Sequence, residues 1–263
     1  KRMSGVMLAF SGKGGSGKTT LAAMVLRELV RTGKKPVLAV DADPNATLAM
    51  SLGVEQGESI SDLRDRMGEA AKNPSQIPKD RLMDQWLNEL LNEQAGFDLL
   101  TMGRPEGPKC YCYVNGLLRR YLRLLRGNYP YVVVDCEAGM EYLSRLTVDE
   151  VDTLVLVAEA TRVGMRTVER ISELADSLPV RIRRRILAIN KTDMPGWEAA
   201  GDFSEPACAQ DAAVRVPFDG DLARRCARGE PIDDEAGQTA RGAIEELARL
   251  CLAVSLRPAA GKT

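Results

Sequence analysis

The stretch Phe10-Ser-Gly-Lys-Gly-Gly-Ser-Gly-Lys-Thr-Thr20 decides how the rest of the chain is read. From Gly12 to Thr19 it follows G-x-x-x-x-G-K-[ST], the spacing of a loop that wraps a di- or triphosphate. The residues before it, Val6-Met-Leu-Ala-Phe10, form a short apolar run suited to a buried parallel strand, and Leu21 to Val30 has helical periodicity. Strand, glycine loop and helix thus follow one another in the order that phosphate binding needs. Gly14, Gly15 and Gly17 permit backbone angles that turn successive N–H groups to one concave side, and the positive end of the following helix adds to that field. The expected cradle runs from Gly12 through Ser16 to Thr20. Lys18 is placed to reach the β- and γ-phosphates, and the Thr19 hydroxyl to ligate the Mg²⁺ that bridges them.

Lys13 gives the loop the form G-K-G-G-x-G-K-T-T. This resembles the deviant Walker A motif of the MinD, ParA and nitrogenase iron protein superfamily. The resemblance implies that Lys13 crosses a dimer interface to the phosphates of the partner's nucleotide, and therefore a nucleotide-sandwich homodimer.

Strand and helix patterns alternate over the whole of 1–263, which predicts an α/β fold: a single P-loop NTPase domain with a mostly parallel central sheet flanked by helices. The 263 residues carry a formal net charge of −1, so no global field draws the chain to nucleic acid or to anionic lipid, and neither is expected as a partner. Without a bilayer-length apolar run or a signal-peptide pattern, the expected location is cytoplasmic, and the six cysteines then read as reduced thiols. Histidine is absent, which leaves metal chemistry to thiolate and carboxylate.

Val37-Leu-Ala-Val40 predicts a second buried strand, ending in Asp41-Ala-Asp-Pro-Asn45, so two carboxylates arrive beside the phosphate site. Asp41 suits the magnesium shell. In the resembled superfamily the aspartate before proline positions the attacking water, a role that falls on Asp43; a loop and helix cap is the plainer alternative. An amphipathic helix is expected over 78–94, a strand over Phe97–Met102, and a helix from about Val114 to Leu125 behind Cys110-Tyr-Cys112. Tyr131-Val-Val-Val-Asp135 predicts a strand with a Walker B acid at its end, followed by Gly139, whose amide is the expected γ-phosphate sensor. Runs at 152–157, 185–190 and 213–217 complete the sheet, with a crossover helix over Val163–Leu178 and a closing helix over about 239–255. Asn190-Lys-Thr-Asp193 stands at a strand end. An asparagine there can bond the adenine edge, while N-K-x-D also recognises guanine, so the motif alone leaves the base open. Val216-Pro-Phe-Asp219 resembles the segment flanking adenine in MinD-like ATPases, which tips the reading to ATP, with Pro217, Phe218 and Asp219 as contacts.

Cys110 and Cys112 sit beyond a Gly/Pro-rich loop and close a disulfide only in a strained ring, so metal ligation is the better reading over two small core residues. One chain supplies two sulfurs, whereas a closed tetrahedral site takes four, which a two-fold dimer provides. Cys208, Cys226 and Cys251 are isolated and are expected in the core; Cys136 is ambiguous. Gly12 to Thr20, Asp41 to Asn45, Arg104-Pro-Glu-Gly-Pro-x-Cys-Tyr-Cys-Tyr113 and Asp135-x-Glu-Ala-Gly-Met-Glu141 together resemble the CooC family, with Tyr142 standing where histidine is expected in close relatives. That resemblance implies an ATP-hydrolysing metallochaperone that turns ATP into ADP, assists nickel insertion into carbon monoxide dehydrogenase as its client, and holds one Ni²⁺ or Zn²⁺ per homodimer through Cys110 and Cys112. Two alternatives stay open. One is an electron-transfer ATPase resembling nitrogenase iron protein, with a cluster on Cys112 or Cys136. The other is a MinD- or ParA-like positioning ATPase.

Overall fold

Apolar runs too short for helices and bounded by glycine or acid become the strands of one sheet, which helices cover on both faces. The computed structural model describes residues 5–63, 66, 85–86, 88–104, 110–138, 150–194 and 211–253, with the backbone alone described at 110–115 and 117. The strands are β1 (Val6–Gly12), β2 (Val37–Ala42), β3 (Asn92–Gln94), β4 (Phe97–Thr101), β5 (Tyr131–Cys136), β6 (Glu150–Glu159), β7 (Arg181–Asn190) and β8 (Ala212–Val216). Their order is β3-β4-β2-β5-β1-β6-β7-β8, and every pairing is parallel except β3 with β4. The helices are α1 (Lys18–Arg31), α2 (Leu48–Leu52), α3 (Cys110–Leu125), α4 (Arg162–Ser177), α5 (Gly220–Arg228) and α6 (Arg241–Leu252).

Parallel strands need crossover helices, so both faces of the sheet are dry, and the strand sequences read as continuous apolar runs. On one face Met7, Val40, Val132 and Leu154 pack beneath α3, through Leu118, Tyr121 and Leu122, and α4, through Val168 and Ile171. On the other, Leu8, Phe10, Val133 and Val155 pack beneath α1, through Leu21, Val25 and Leu29, and α6, through Leu247 and Cys251. From β1 the chain crosses to β2 on one side, while β6 lies on the other. A crevice opens at the carboxyl end of β1 where these directions diverge, and the glycine loop fills its floor.

Several elements differ from the sequence reading. Residues 92–94 are a strand and not the end of a helix: Glu93 opposes Asp98 in an antiparallel hairpin turning at Gly96, whose φ is +97°. The α3 backbone is helical from Cys110, one turn earlier than expected. β7 begins at Arg181, because Glu150 accepts a bond from Arg183 Nε at 2.5 Å and Asp211 accepts one from the Arg185 amide at 2.7 Å, so an arginine-rich run joins the sheet with its charges matched. The helix α5 has no counterpart in the sequence reading.

Candidate phosphate and magnesium site

Two residues of the loop lie in the left-handed region, Gly15 at φ +80° and Gly17 at φ +98°. A Cβ on Gly17 would stand 2.2 Å from Asn190 Nδ2, and one on Gly12 would stand 2.2 Å from the Val157 carbonyl oxygen on β6, so neither position admits a side chain. Helix α1 starts at Gly17 with no side-chain cap and no acid in its first turn. Its first N–H groups and its positive dipole end are thereby left for an anion. Lys18 is buried and folds back to donate to the Lys13 carbonyl at 3.2 Å, while Lys13 itself is exposed at the rim.

The acidic side of the site is built by strand register. Asp41 on β2 is the register partner of Asp135 on β5, which pairs in turn with Phe10 on β1, so both acids reach the carboxyl edge beside the loop. Asp41 accepts the Leu48 amide at 2.8 Å and the Asp43 amide at 3.2 Å. Asp135 Oδ2 accepts the Thr19 hydroxyl at 2.5 Å, and Asp135 Oδ1 is buried with no hydrogen-bond partner among the described residues. Burial pushes the Asp41 carboxyl up to about 7. Burial and the Asp41 charge push Asp135 up as well. Two desolvated carboxyls, one with an orphaned oxygen, and a hydroxyl at a phosphate cradle are the oxygen donor set that suits Mg²⁺. Thr19 and Asp135, with Asp41 behind them, would hold that ion, which supplies charge neutralisation for the phosphates. Asp43 lies on the cavity wall, where its Oδ1 accepts the Asn45 amide and Nδ2 at 2.9 Å each, an Asx turn that fixes the carboxylate's direction.

The cavity over the loop measures about 590 Å³. Gly14, Gly15, Gly17, Lys18, Thr19 and Thr20 line it, together with Asn190, Pro217, Phe218 and Asp219. That volume takes a nucleotide. A family model described as an AAA domain matches residues 6–187, from the first residue of β1 into β7. The chain belongs to this AAA-domain family of P-loop ATPases. It hydrolyses ATP to ADP and phosphate. The chain is 34% identical over 230 residues to an uncharacterized ATP-binding protein of Methanocaldococcus jannaschii, a match covering 86% of this chain and 90% of the relative. It is also 34% identical over 225 residues to the carbon monoxide dehydrogenase accessory protein CooC of Rhodospirillum rubrum, covering 81% of this chain and 83% of that one. The solved MinC:MinD cell division complex of Aquifex aeolicus superposes with a TM-score of 0.67 at 23% identity, over 93% of this chain and 94% of that one, and shows the same fold.

In this AAA-domain ATPase the side chains expected from the sequence motifs to contact the base are engaged with the protein. Asn190 Nδ2 donates to the Ser16 carbonyl at 2.9 Å, and Asp193 Oδ1 accepts the Phe218 amide at 2.5 Å. Asp219 caps α5 by accepting the amides of Asp221 and Leu222 at 3.0 and 3.1 Å, and its second oxygen accepts the Thr239 amide at 2.9 Å. Pro217 and Phe218 are left to form the wall.

Three findings lie beyond the sequence reading. Lys191 donates to the Gly15 carbonyl at 3.2 Å and to Glu159 Oε1 at 2.8 Å; its place next to Asn190 in the motif was the only signal. Cys226 is not in the core: it is exposed, lines the cavity, and places its sulfur 3.4 Å from the Thr20 hydroxyl. The helix α5 is only nine residues long, so its one apolar repeat, Leu222 with Cys226 four residues on, was too brief to be read as a helix face. Cys136 ends β5 facing the α3 core, fully buried, and burial with the Asp135 charge pushes its thiol far up, so it is held as a neutral thiol. Cys251 is in the core as expected. Gly139, Tyr142 and Cys208, and the side chains of Cys110 and Cys112, lie outside the described residues.

Proposed function

We propose that this ATPase is an accessory factor that loads a metal into a client enzyme, with nickel as the metal and carbon monoxide dehydrogenase as the client, and that it works as a cytoplasmic homodimer binding one Ni²⁺ or Zn²⁺ through Cys110 and Cys112 of two chains. The observation that carries this reading is the 34% identity to a carbon monoxide dehydrogenase accessory protein over most of both chains. The fold supplies a connection between the two chemistries. Cys110 begins α3, and α3 leads through five residues into β5, whose end presents Asp135 to the Mg²⁺ position.

In the same reading, Lys18 holds the β- and γ-phosphates, Asp43 orients the attacking water, and Lys13 reaches the partner's nucleotide, so turnover is slow until two chains close. Gly139 senses the γ-phosphate. The neutral, buried state of Cys136 counts against a shared iron–sulfur cluster at that position, since a cluster ligand is a thiolate with access to the metal. The test is metal content measured together with mass by light scattering, in zinc, in nickel and in chelator. Wild type is expected to bind one metal per dimer and to dimerise on binding it. If Cys112→Ala dimerises with metal as wild type does, the interfacial site is wrong.

A further inference from the structure

Two carbonyls of the phosphate loop are held by one tetrapeptide. Asn190 Nδ2 donates to Ser16 O at 2.9 Å and Lys191 Nζ to Gly15 O at 3.2 Å. Asn190 is 8% exposed, and its Oδ1 accepts the Lys191 amide at 3.0 Å, so both ends of the side-chain amide have partners and its orientation is set. Lys191 sits at φ +59°, left-handed backbone that a side-chain-bearing residue keeps only where its surroundings over-determine it. Its ammonium is shared with Glu159 at 2.8 Å, and Glu159 is the register partner of Asn190 across β6 and β7. The other half of the tetrapeptide binds the exit of β8, with Asp193 Oδ1 on the Phe218 amide at 2.5 Å and the Thr192 amide on the Val216 carbonyl at 3.2 Å. All four residues thus bond to backbone on the two sides of the nucleotide cavity.

We propose that Asn190 and Lys191, braced by Glu159, are positioning residues for the phosphate loop, so that they govern how tightly the diphosphate is held. The physical reason is peptide planarity. A trans peptide points its C=O and its N–H in opposite directions, so fixing Ser16 O fixes the direction of the Gly17 N–H at the start of α1, where an anion binds. Fixing Gly15 O likewise sets the Ser16 N–H, which donates to the Lys13 carbonyl at 3.2 Å and closes the turn that presents Lys13 at the rim. The approach of Asn190 is so close that only glycine fits at position 17, since a Cβ there would stand 2.2 Å from Nδ2.

The experiment is calorimetric titration with Mg²⁺ and two probes, ADP and inorganic pyrophosphate, on wild type, Asn190→Ala, Lys191→Met and Lys191→Arg. A positioning role lowers the affinity of Asn190→Ala for both probes by the same factor, roughly tenfold, the scale of one lost buried hydrogen bond. Lys191→Met is expected to lose roughly threefold for both probes, as befits a partly exposed pair, and Lys191→Arg, which keeps the charge, to lose less than Lys191→Met. If Asn190→Ala loses affinity for ADP and none for pyrophosphate, Asn190 reads the base and the proposal is overturned; no change with either probe overturns it too. Should Asn190→Ala fail to give a native circular dichroism spectrum, the same comparison of ADP with pyrophosphate in Lys191→Met decides the question.

Discussion

In the proposed reading Lys18 serves the phosphates and the Asp41–Asp135 pair serves the metal, and each role can be tested alone. Removing the buried Lys18 ammonium leaves the phosphate charge without its charge-assisted donor, so Lys18→Ala is expected to weaken ADP binding roughly 100-fold by calorimetry. The paired acids make a pH prediction. Both carboxyls titrate near the usual value of about 4 in the unfolded chain. In the folded, metal-free protein Asp41 is pushed up to about 7 and Asp135 is pushed up too. Between those limits the folded state binds more protons at this pair than the unfolded state, so the pair's contribution to stability is full below about pH 4 and is lost as pH rises through the folded values. Mg²⁺ offsets the paired charge. Thermal unfolding of metal-free protein should therefore show the melting temperature falling from pH 5.5 to 8.5, with a flatter profile in saturating Mg²⁺; a metal-free profile that rises with pH would refute the assignment. The residues named here were legible because a phosphate loop and its acids are short-range patterns. Asn190 was legible as a position but not as a partner, because its bond to Ser16 spans 174 residues and no local period encodes it.

At the scale of elements, the buried parallel strands declared themselves through continuous apolar runs, and β3 and α5 did not. Three residues are too few to show alternation, and β3 exists because it pairs with Phe97–Leu99 of β4, a tertiary fact. The helix α5 depends on Asp219, which satisfies three backbone donors at once. Its truncation removes a cap worth about 1–2 kcal/mol and a part-buried bond to the Thr239 amide, so Asp219→Ala should cost roughly 1.5–3 kcal/mol in urea unfolding. Gly17→Ala tests the start of α1. It meets both the left-handed φ and the Asn190 contact, and is expected to lose about 1–2 kcal/mol of stability from the backbone alone, together with measurable ADP binding. Helix α3 shows the reverse of a missed element: glycine and proline ahead of Cys110 suggested that the cysteines precede the helix, yet its backbone is helical from Cys110 onward.

At the scale of the whole molecule, one chain presents a complete phosphate cradle and acid pair but keeps Lys13 exposed at the rim. Nothing within a single sequence states where such a lysine goes; the resemblance of its motif supplies a second chain. The proposal that turnover is shared between two copies makes Lys13 and Asp43 separable, because each site would use its own Asp43 and its partner's Lys13. Lys13→Ala alone should bind ADP like wild type and lose roughly 100-fold or more of phosphate release, and Asp43→Asn alone should be similarly inactive. The most direct measurement is phosphate release from an equimolar mixture of the two inactive variants. A mixed dimer pairs the intact Asp43 of one chain with the intact Lys13 of the other at one of its two sites, so about a quarter of wild-type activity should return if half the dimers are mixed. A mixture no more active than either variant alone would contradict the shared site.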